Sequence, residues 1–234
     1  AEQVQVGIEA ATQDTSTEGI PPFVTRLQAW PYDQGMRFIG ALDSRGGLDA
    51  VDEAFRDLPA STEQIIHPER YPNDAPTPVD VPDLSAGLGE EWEDLDVMAI
   101  GEAWLQIALG LRLDGSDAGS ATAGWDGGTY RAWSDGSQTA VVLSTAWDSP
   151  NDAREFAAAM TDWIDQGDEH ATVLESGGTV VTALFATDAA TLPYDFVISP
   201  TSPILPYEAE LACPGNDPHN AFPHICFTVP YNMS

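Results

Sequence analysis

Thr129-Tyr-Arg-Ala-Trp-Ser-Asp-Gly-Ser-Gln-Thr-Ala-Val-Val-Leu-Ser-Thr-Ala-Trp147, followed by Asp148-Ser-Pro-Asn-Asp152, decides the fold. Two runs rich in Thr, Val, Tyr and Trp flank Ser134-Asp-Gly-Ser137, a turn signature, and so read as the two strands of a hairpin. Strand side chains alternate between faces, and branched and aromatic residues suit such a pleated, half-buried surface. Asp148-Ser-Pro-Asn-Asp then offers a helix cap with Pro150 at or near the first helical position, where a missing N–H leaves no bond unmade. Phe156, Ala157, Met160 and Ile164 recur at helical spacing, which predicts a helix over 153–164 with these residues inward. Val173-Leu174, Gly177-Gly178 and Thr179–Thr187 predict a second hairpin. The order ββαββ is that of a helix laid on an antiparallel sheet, an α+β fold.

Upstream the pattern is helical. Residues 1–22 are polar and end in Gly19-Ile-Pro-Pro22, which predicts an N-terminal arm. Met36, Phe38, Ile39 and Leu42 mark a helix, Gly46-Gly47 stops it, and Leu48, Val51, Ala54 and Phe55 begin a second one. Ser61-Thr-Glu-Gln64 with Ile65 and Ile66 forms a third, closed by Pro68. Prolines at 68, 72, 76, 78 and 82 forbid regular structure and predict an extended crossing, the best candidate for a boundary. From Trp92 to Leu111 a mostly apolar stretch predicts one buried helix. The chain thus divides into an arm (1–22), a mainly helical part (23–112) with its Pro-rich crossing at 68–82, an α+β sheet part (113–190) and a Pro-rich coil tail (191–234).

Composition narrows the function. The 234 residues carry 38 acidic groups against eight basic ones, a formal charge of −30. All eight are arginine, so Schiff-base lysine chemistry and a phosphate-cradling lysine are absent. Nucleic acid and anionic membrane surfaces carry the same sign of charge and are excluded as partners. Seven Trp and eight Phe within 43% hydrophobic residues supply a core, so the chain folds. No run approaches the ~20 apolar residues of a membrane span. A charge of −30 repels itself in dilute buffer and is screened when the Debye length falls to ~3 Å at 1 M salt, which points to a halophilic source. The chain begins at Ala1 with no cleavable leader, so a mature or trimmed product is expected.

Cys213 and Cys226 bracket a segment rich in Pro and Asn, where a disulfide would close a loop worth ~3 kcal/mol and fits an extracellular or cell-surface location. The rival is a metal site using Cys213, His219, His224 and Cys226, whose spacing departs from the familiar zinc patterns. Asn232-Met-Ser234 is an N-glycosylation sequon.

Signature motifs of catalysis are missing: there is no HExxH, no GxSxG, no GxGxxG after a strand and no GxxxxGK[ST]. Two candidates remain. Glu63 and His67 are four residues apart, on one helix face, and could orient a metal or polarise a carbonyl. The alternative is a helix cap plus a histidine satisfied by hydrogen bonds at a proline-terminated helix end. Trp125, in Gly124-Trp-Asp-Gly-Gly-Thr-Tyr130, either meets a ligand or leads from a glycine turn into a strand whose aromatics face the core. No cofactor and no specific metal are expected, because no Asp-x-Asp-x-Asp-Gly loop marks a calcium site.

Six segments occur in order: Pro31-Tyr-Asp-Gln-Gly-Met-Arg-Phe-Ile39, Arg45-Gly-Gly-Leu-Asp-Ala-Val-Asp52, Pro59-Ala-Ser-Thr-Glu-Gln-Ile-Ile-His-Pro-Glu-Arg-Tyr71, Gly101-Glu-Ala-Trp-Leu105, Ala123-Gly-Trp-Asp-Gly-Gly-Thr-Tyr-Arg131 and Thr145-Ala-Trp-Asp-Ser-Pro-Asn-Asp-Ala-Arg-Glu-Phe156. Together, over residues 22 to 187, they resemble the C-terminal half of a haloarchaeal surface-protein family with bacterial relatives. Longer members of that family resemble gluzincin metallopeptidases, with an upstream His-Glu-Leu-Thr-His and a later Glu-Gly-Asp. This chain lacks the first motif. Gly7-Ile-Glu-Ala-Ala-Thr12 only echoes the second, so no ligand role passes to Glu9. The resemblance implies an extracellular, salt-adapted, non-catalytic structural or binding module that engages a protein partner or copies of itself at the cell surface. The alternative it implies is the second half of a processed zinc metallopeptidase, with His67 beside a zinc held by another chain.

The charge reading generates a direct test. The melting temperature is expected to fall as NaCl is lowered from about 4 M to about 0.1 M, and a constant value across that range contradicts a brine-adapted surface.

Overall fold

Ile20-Pro-Pro22 sets the start of the first helix, because proline tolerates the first helical turn and little else in a helix. In a computed structural model, which describes residues 19–191 except 82, 169, 176, 177, 189 and 190, helix α1 spans Pro22–Ala54. It begins well before Met36. Gly47, at φ 66° and ψ −161°, breaks its path where the glycine pair predicts a stop, a conformation open to glycine because it lacks Cβ. Phe38, Leu42 and Ala54 of α1 are buried together with Tyr71. Helix α2, Thr62–Ile66, starts at Ser61, whose hydroxyl accepts from the Gln64 amide at 3.3 Å, and gives way at His67 before Pro68. Residues 74–81 form no regular element, as their prolines require, and a short helix α3, Ser85–Leu88, follows.

The predicted helix over Trp92–Leu111 is corrected. Glu93–Ala99 is strand β1 and Glu102–Leu109 is helix α4, separated by Gly101 in an extended conformation. Asp94, Leu95, Asp96 and Val97 alternate polar with apolar, a period of two that overrides the helical count across the longer window. Consequently the sheet begins at Glu93, not after residue 112. Helix α5, Gly115–Thr122, was not foreseen, and it leads through Gly124 into β2, Trp125–Ser134. The hairpin closes with β3, Thr139–Trp147, in the register Tyr130 opposite Leu143 and Trp133 opposite Ala140. Helix α6, Pro150–Asp165, is capped by Ser149 Oγ, which accepts from the amides of Asn151 and Asp152. Strands β4, His170–Glu175, and β5, Val180–Ala186, form the second hairpin.

All neighbours pair antiparallel in the order β1-β2-β3-β5-β4, so β3 is central and β1 is an edge. The α+β class and the packed helix therefore hold, with one strand more than ββαββ. The main core lies between the sheet and helices α4, α5 and α6, where Trp125, Leu143, Trp147, Phe156 and Val181 are buried. Trp147 stacks on Phe156 with centroids 4.5 Å apart. No helix among the described residues is long and apolar enough to cross a membrane. The arm with Glu9, and the tail with Cys213, Cys226, His219, His224 and Asn232, lie outside the described residues.

Two glycines test this packing in opposite directions. A Cβ on Gly127 would stand 2.1 Å from the Thr77 carbonyl oxygen, whereas one on Gly35 in α1 would meet nothing within 4 Å. Gly127→Ala is expected to destabilise by about 1–3 kcal/mol and Gly35→Ala to stabilise by about 0.5–1 kcal/mol. Urea unfolding in molar salt reads both; equal effects would contradict the close approach of residues 76–79 to β2.

Candidate functional site

The segment Ser61–Tyr71 contacts four other parts of the chain, nearly every side chain having its own partner. Ser61 caps α2. Thr62 Oγ1 accepts from the Ala103 amide at 3.1 Å and so caps α4, whose first amides have no partner within their own helix. Gln64 Oε1 accepts from the Ala60 amide at 2.8 Å, and its Nε2 donates to the Asp74 carbonyl. Tyr71 donates its hydroxyl proton to the Asp57 carbonyl at 2.6 Å and sets its ring edge-on to Phe38. Arg45 of α1 donates to the Pro68 carbonyl at 3.2 Å.

The charged members occupy the centre. Arg70 Nη1 stands 2.8 Å from Glu63 Oε1 and 2.9 Å from Asp74 Oδ2, and its Nη2 donates to Asp148 Oδ2 at 2.6 Å. His67 Nε2 lies 3.1 Å from Glu102 Oε1, and with Glu102 ionised the ring N–H is the donor. Glu63 and Glu102 are each 1% exposed. Their Oε1 and Oε2 atoms, respectively, lack a hydrogen-bond partner, so the Glu63 contact with Arg70 is charge attraction without hydrogen-bond geometry.

Burial disfavours an unsolvated carboxylate. It lifts the Glu63 carboxyl from 4.5 to about 7 against the pull of Arg70. Burial also raises Glu102, with His67 opposing. His67 is raised above its usual value by its hydrogen bond to Glu102, which outweighs desolvation. The other ring nitrogen, Nδ1, faces the exposed Glu69 at 3.9 Å.

Glu63 lies within α2 and His67 just past its end in a non-helical conformation, and each is turned to a different interior partner. None of Glu63, His67, Arg70, Glu102 or Asp148 lines either of two surface cavities. One, of about 440 Å³, runs between Ser61-Thr62, Pro76–Val79 and the start of β2. Trp125 forms part of its wall while 2% exposed and within the main core, and its Nε1 has no hydrogen-bond partner. The other, of about 280 Å³, lies between the sheet and helices α4 and α6. Among the described residues no three His, Cys, Asp or Glu side chains are placed to hold a metal.

Arg70, Glu102 and Asp148 were not singled out from the sequence. With 38 acids, any one carboxylate 35 or 78 residues from its partner carries no signal of its own. Arg70 had one: a cation is scarce in this chain, and this one sits in the sharpest of the ordered segments.

Glu63, His67 and Glu102 all hold protons more firmly in the fold than in the unfolded chain, so stability falls as pH rises through their raised values. Glu63 alone, moved from 4.5 to about 7, withholds about 3 kcal/mol above that pH. In molar salt the melting temperature is expected to drop as pH rises from about 4.5 to about 7.5. Glu63→Gln, which keeps the shape without the charge, is expected to melt above the native chain at the alkaline end and close to it at the acid end. A flat profile, or a Gln variant that melts lower at the alkaline end, contradicts this electrostatic account.

Comparison with known proteins reaches only part of the chain. No curated protein matches it, and no solved structure does. Residues 93–193, from β1 past β5 and including α4, α5 and α6, match the family described as Domain of unknown function (DUF8575).

Proposed function

We propose that this chain is a salt-adapted, extracellular structural or binding module with no catalysis of its own, engaging a protein partner or further copies of itself at the cell surface. One observation carries the reading: the two acid–base candidates of the sequence, Glu63 and His67, are engaged in holding the fold. His67 is tied to Glu102, Glu63 to Arg70, and neither lines either of the two cavities described above. What the surface offers is contact area. Val24, Leu27, Met36 and Ile39 on α1, and Leu95 and Val97 on the edge strand β1, are exposed apolar side chains, the kind of surface that protein contacts cover. The net charge of −30 and the absence of lysine support the salt-adapted part, and the ordered motifs support descent from a metallopeptidase-like surface protein.

A second reading draws on the His67–Glu102 pair. A buried carboxylate fixing one ring nitrogen, with the other turned outward, is how positioned histidines are commonly held. In this reading the chain completes the site of a separate HExxH chain, and His67 faces the substrate carbonyl.

Purification of native material in molar salt, with intact masses of every co-purifying polypeptide and a zinc assay, separates the two. The chain alone or as homo-oligomers, free of zinc, is expected. A co-purifying HExxH chain with about one zinc per complex overturns the non-catalytic reading and favours the processed peptidase.

A further inference from the structure

The 280 Å³ cavity between α4, α6 and the sheet carries no polar atom on its walls. Trp104, Tyr130, Trp163 and Phe185 supply aromatic surface, and Leu143 and Met160 supply part of the floor. It is open to solvent, because the four aromatic rings remain only half-buried. A gap of this kind in a core closes unless its walls are fixed, since interiors otherwise pack to crystal-like density.

Here the walls are fixed from outside. Trp163 Nε1 donates to the Ala108 carbonyl at 2.9 Å, joining α6 to α4 across one end of the cavity. Arg112 stacks its guanidinium 3.7 Å from the centre of the Trp163 ring and donates to the Trp163 carbonyl at 2.9 Å. Tyr130 donates its hydroxyl proton to the exposed Asp96 carboxylate. Phe23 meets Trp104 edge-on with centroids 5.1 Å apart. The polar tips of Tyr130 and Trp163 are therefore bonded away from the cavity, and what faces inward is ring and alkyl surface.

We infer that this cavity is a binding site for an uncharged hydrocarbon group, an alkyl chain or small aromatic ring of a neutral molecule. Three properties select that class. Apolar walls offer no hydrogen-bond partner to a polar ligand, and water in such an open apolar cavity is poorly held, so an apolar guest displaces it favourably. The volume exceeds the ~150 Å³ that holds benzene and sits near the ~300 Å³ lower end of ligand pockets. A carboxylate drawn to these walls would lose its water and gain no partner, and the Asp96 carboxylate at the outer tip of Tyr130 has the same sign, so fatty acids and other anionic amphiphiles are rejected. This deepens the binding-module reading and rests on it, but its test reads ligand occupancy and not zinc or co-purifying chains, so either can fail without the other.

The experiment is a fluorescence titration of the full chain in molar salt with N-phenyl-1-naphthylamine, an uncharged apolar probe, displaced by decanol or by decanoate. Saturable binding is expected, with displacement by decanol and little by decanoate. Ala108→Phe, which fills the cavity from α4, and Val141→Phe, which fills it from β3, are each expected to weaken binding at least about tenfold while the melting temperature holds or rises. Two variants on different elements guard against one failing to fold. Absence of saturable binding by the native chain, or undiminished binding by folded variants, overturns the site; equal displacement by decanoate overturns the uncharged ligand class.

Discussion

One guanidinium organises the junction between the helical segment and the sheet. Arg70 lies among Glu63, Asp74 and Asp148, which come from α2, the chain after it and the β3–α6 turn. Arginine suits the place because it stays charged at any accessible pH and presents several donors in a fixed plane. Without it, the buried Glu63 carboxylate would have no neighbouring cation, and loss of one partner from a buried pair typically costs about 3–5 kcal/mol. The other contacts of the segment depend on the same placement. Only with α2 held against α4 can Thr62 cap Ala103 and His67 reach Glu102. Such a cluster adds little net stability over a well-packed apolar equivalent, but it admits few alternative arrangements, which is how buried polar groups can fix one geometry.

The scarcity of cations gives that arrangement its wider meaning. Of eight arginines, Arg26, Arg45, Arg70, Arg112 and Arg131 each bond a residue far along the chain: the carbonyls of Gly110, Pro68 and Trp163 for the first, second and fourth, and the carboxylates of Asp148 and Asp94 for the third and fifth. Salt weakens long-range repulsion between exposed carboxylates far more than it weakens a hydrogen bond at contact distance. A chain of −30 in concentrated salt can therefore keep its arginines as ties between elements and leave its surface almost wholly acidic. In dilute buffer the same distribution leaves few cations to offset repulsion among surface acids.

How much of this was legible in the sequence follows from the range of each signal. The β2–β3 hairpin, the Ser149 cap and the inward face of α6 rest on residues within a few positions of one another, and local periodicity finds them. Gly47 as the break in α1 is equally local. Strand β1 was missed because Leu95, Val97 and Met98 merged with the apolar run of α4 into one helical count, although the intervening acids alternate with period two. Helix α5, Gly-Ser-Asp-Ala-Gly-Ser-Ala-Thr, has no large apolar residues to show a face; its burial through Ala118, Ala121 and Thr122 is set by the neighbours it packs on. In the candidate site, Glu63 and His67 could be placed on one face, but their partners are chosen by tertiary packing. Trp125 is a core residue, as the second of its two readings expects, and it also forms part of a cavity wall.

The distribution of chemistry over the molecule follows a simple division. Glu63, His67 and Glu102 sit in the junction, where pairing restrains them, while the polar tips of Tyr130 and Trp163 are bonded away from the cavity. All nine residues lining the smaller cavity lie between Trp104 and Phe185, inside the stretch that matches the domain family. Helix α1 belongs to neither the sheet nor that stretch, yet Phe23 packs on Trp104 and Arg26 donates to the Gly110 carbonyl at the end of α4. The seating of α1 therefore helps set the position of one cavity wall. The Arg45 and Tyr71 contacts fasten the far end of α1 to the ion-cluster segment, and α4 joins cluster and cavity directly, since Glu102 meets His67 while Trp104, Ala108 and Leu109 line the cavity.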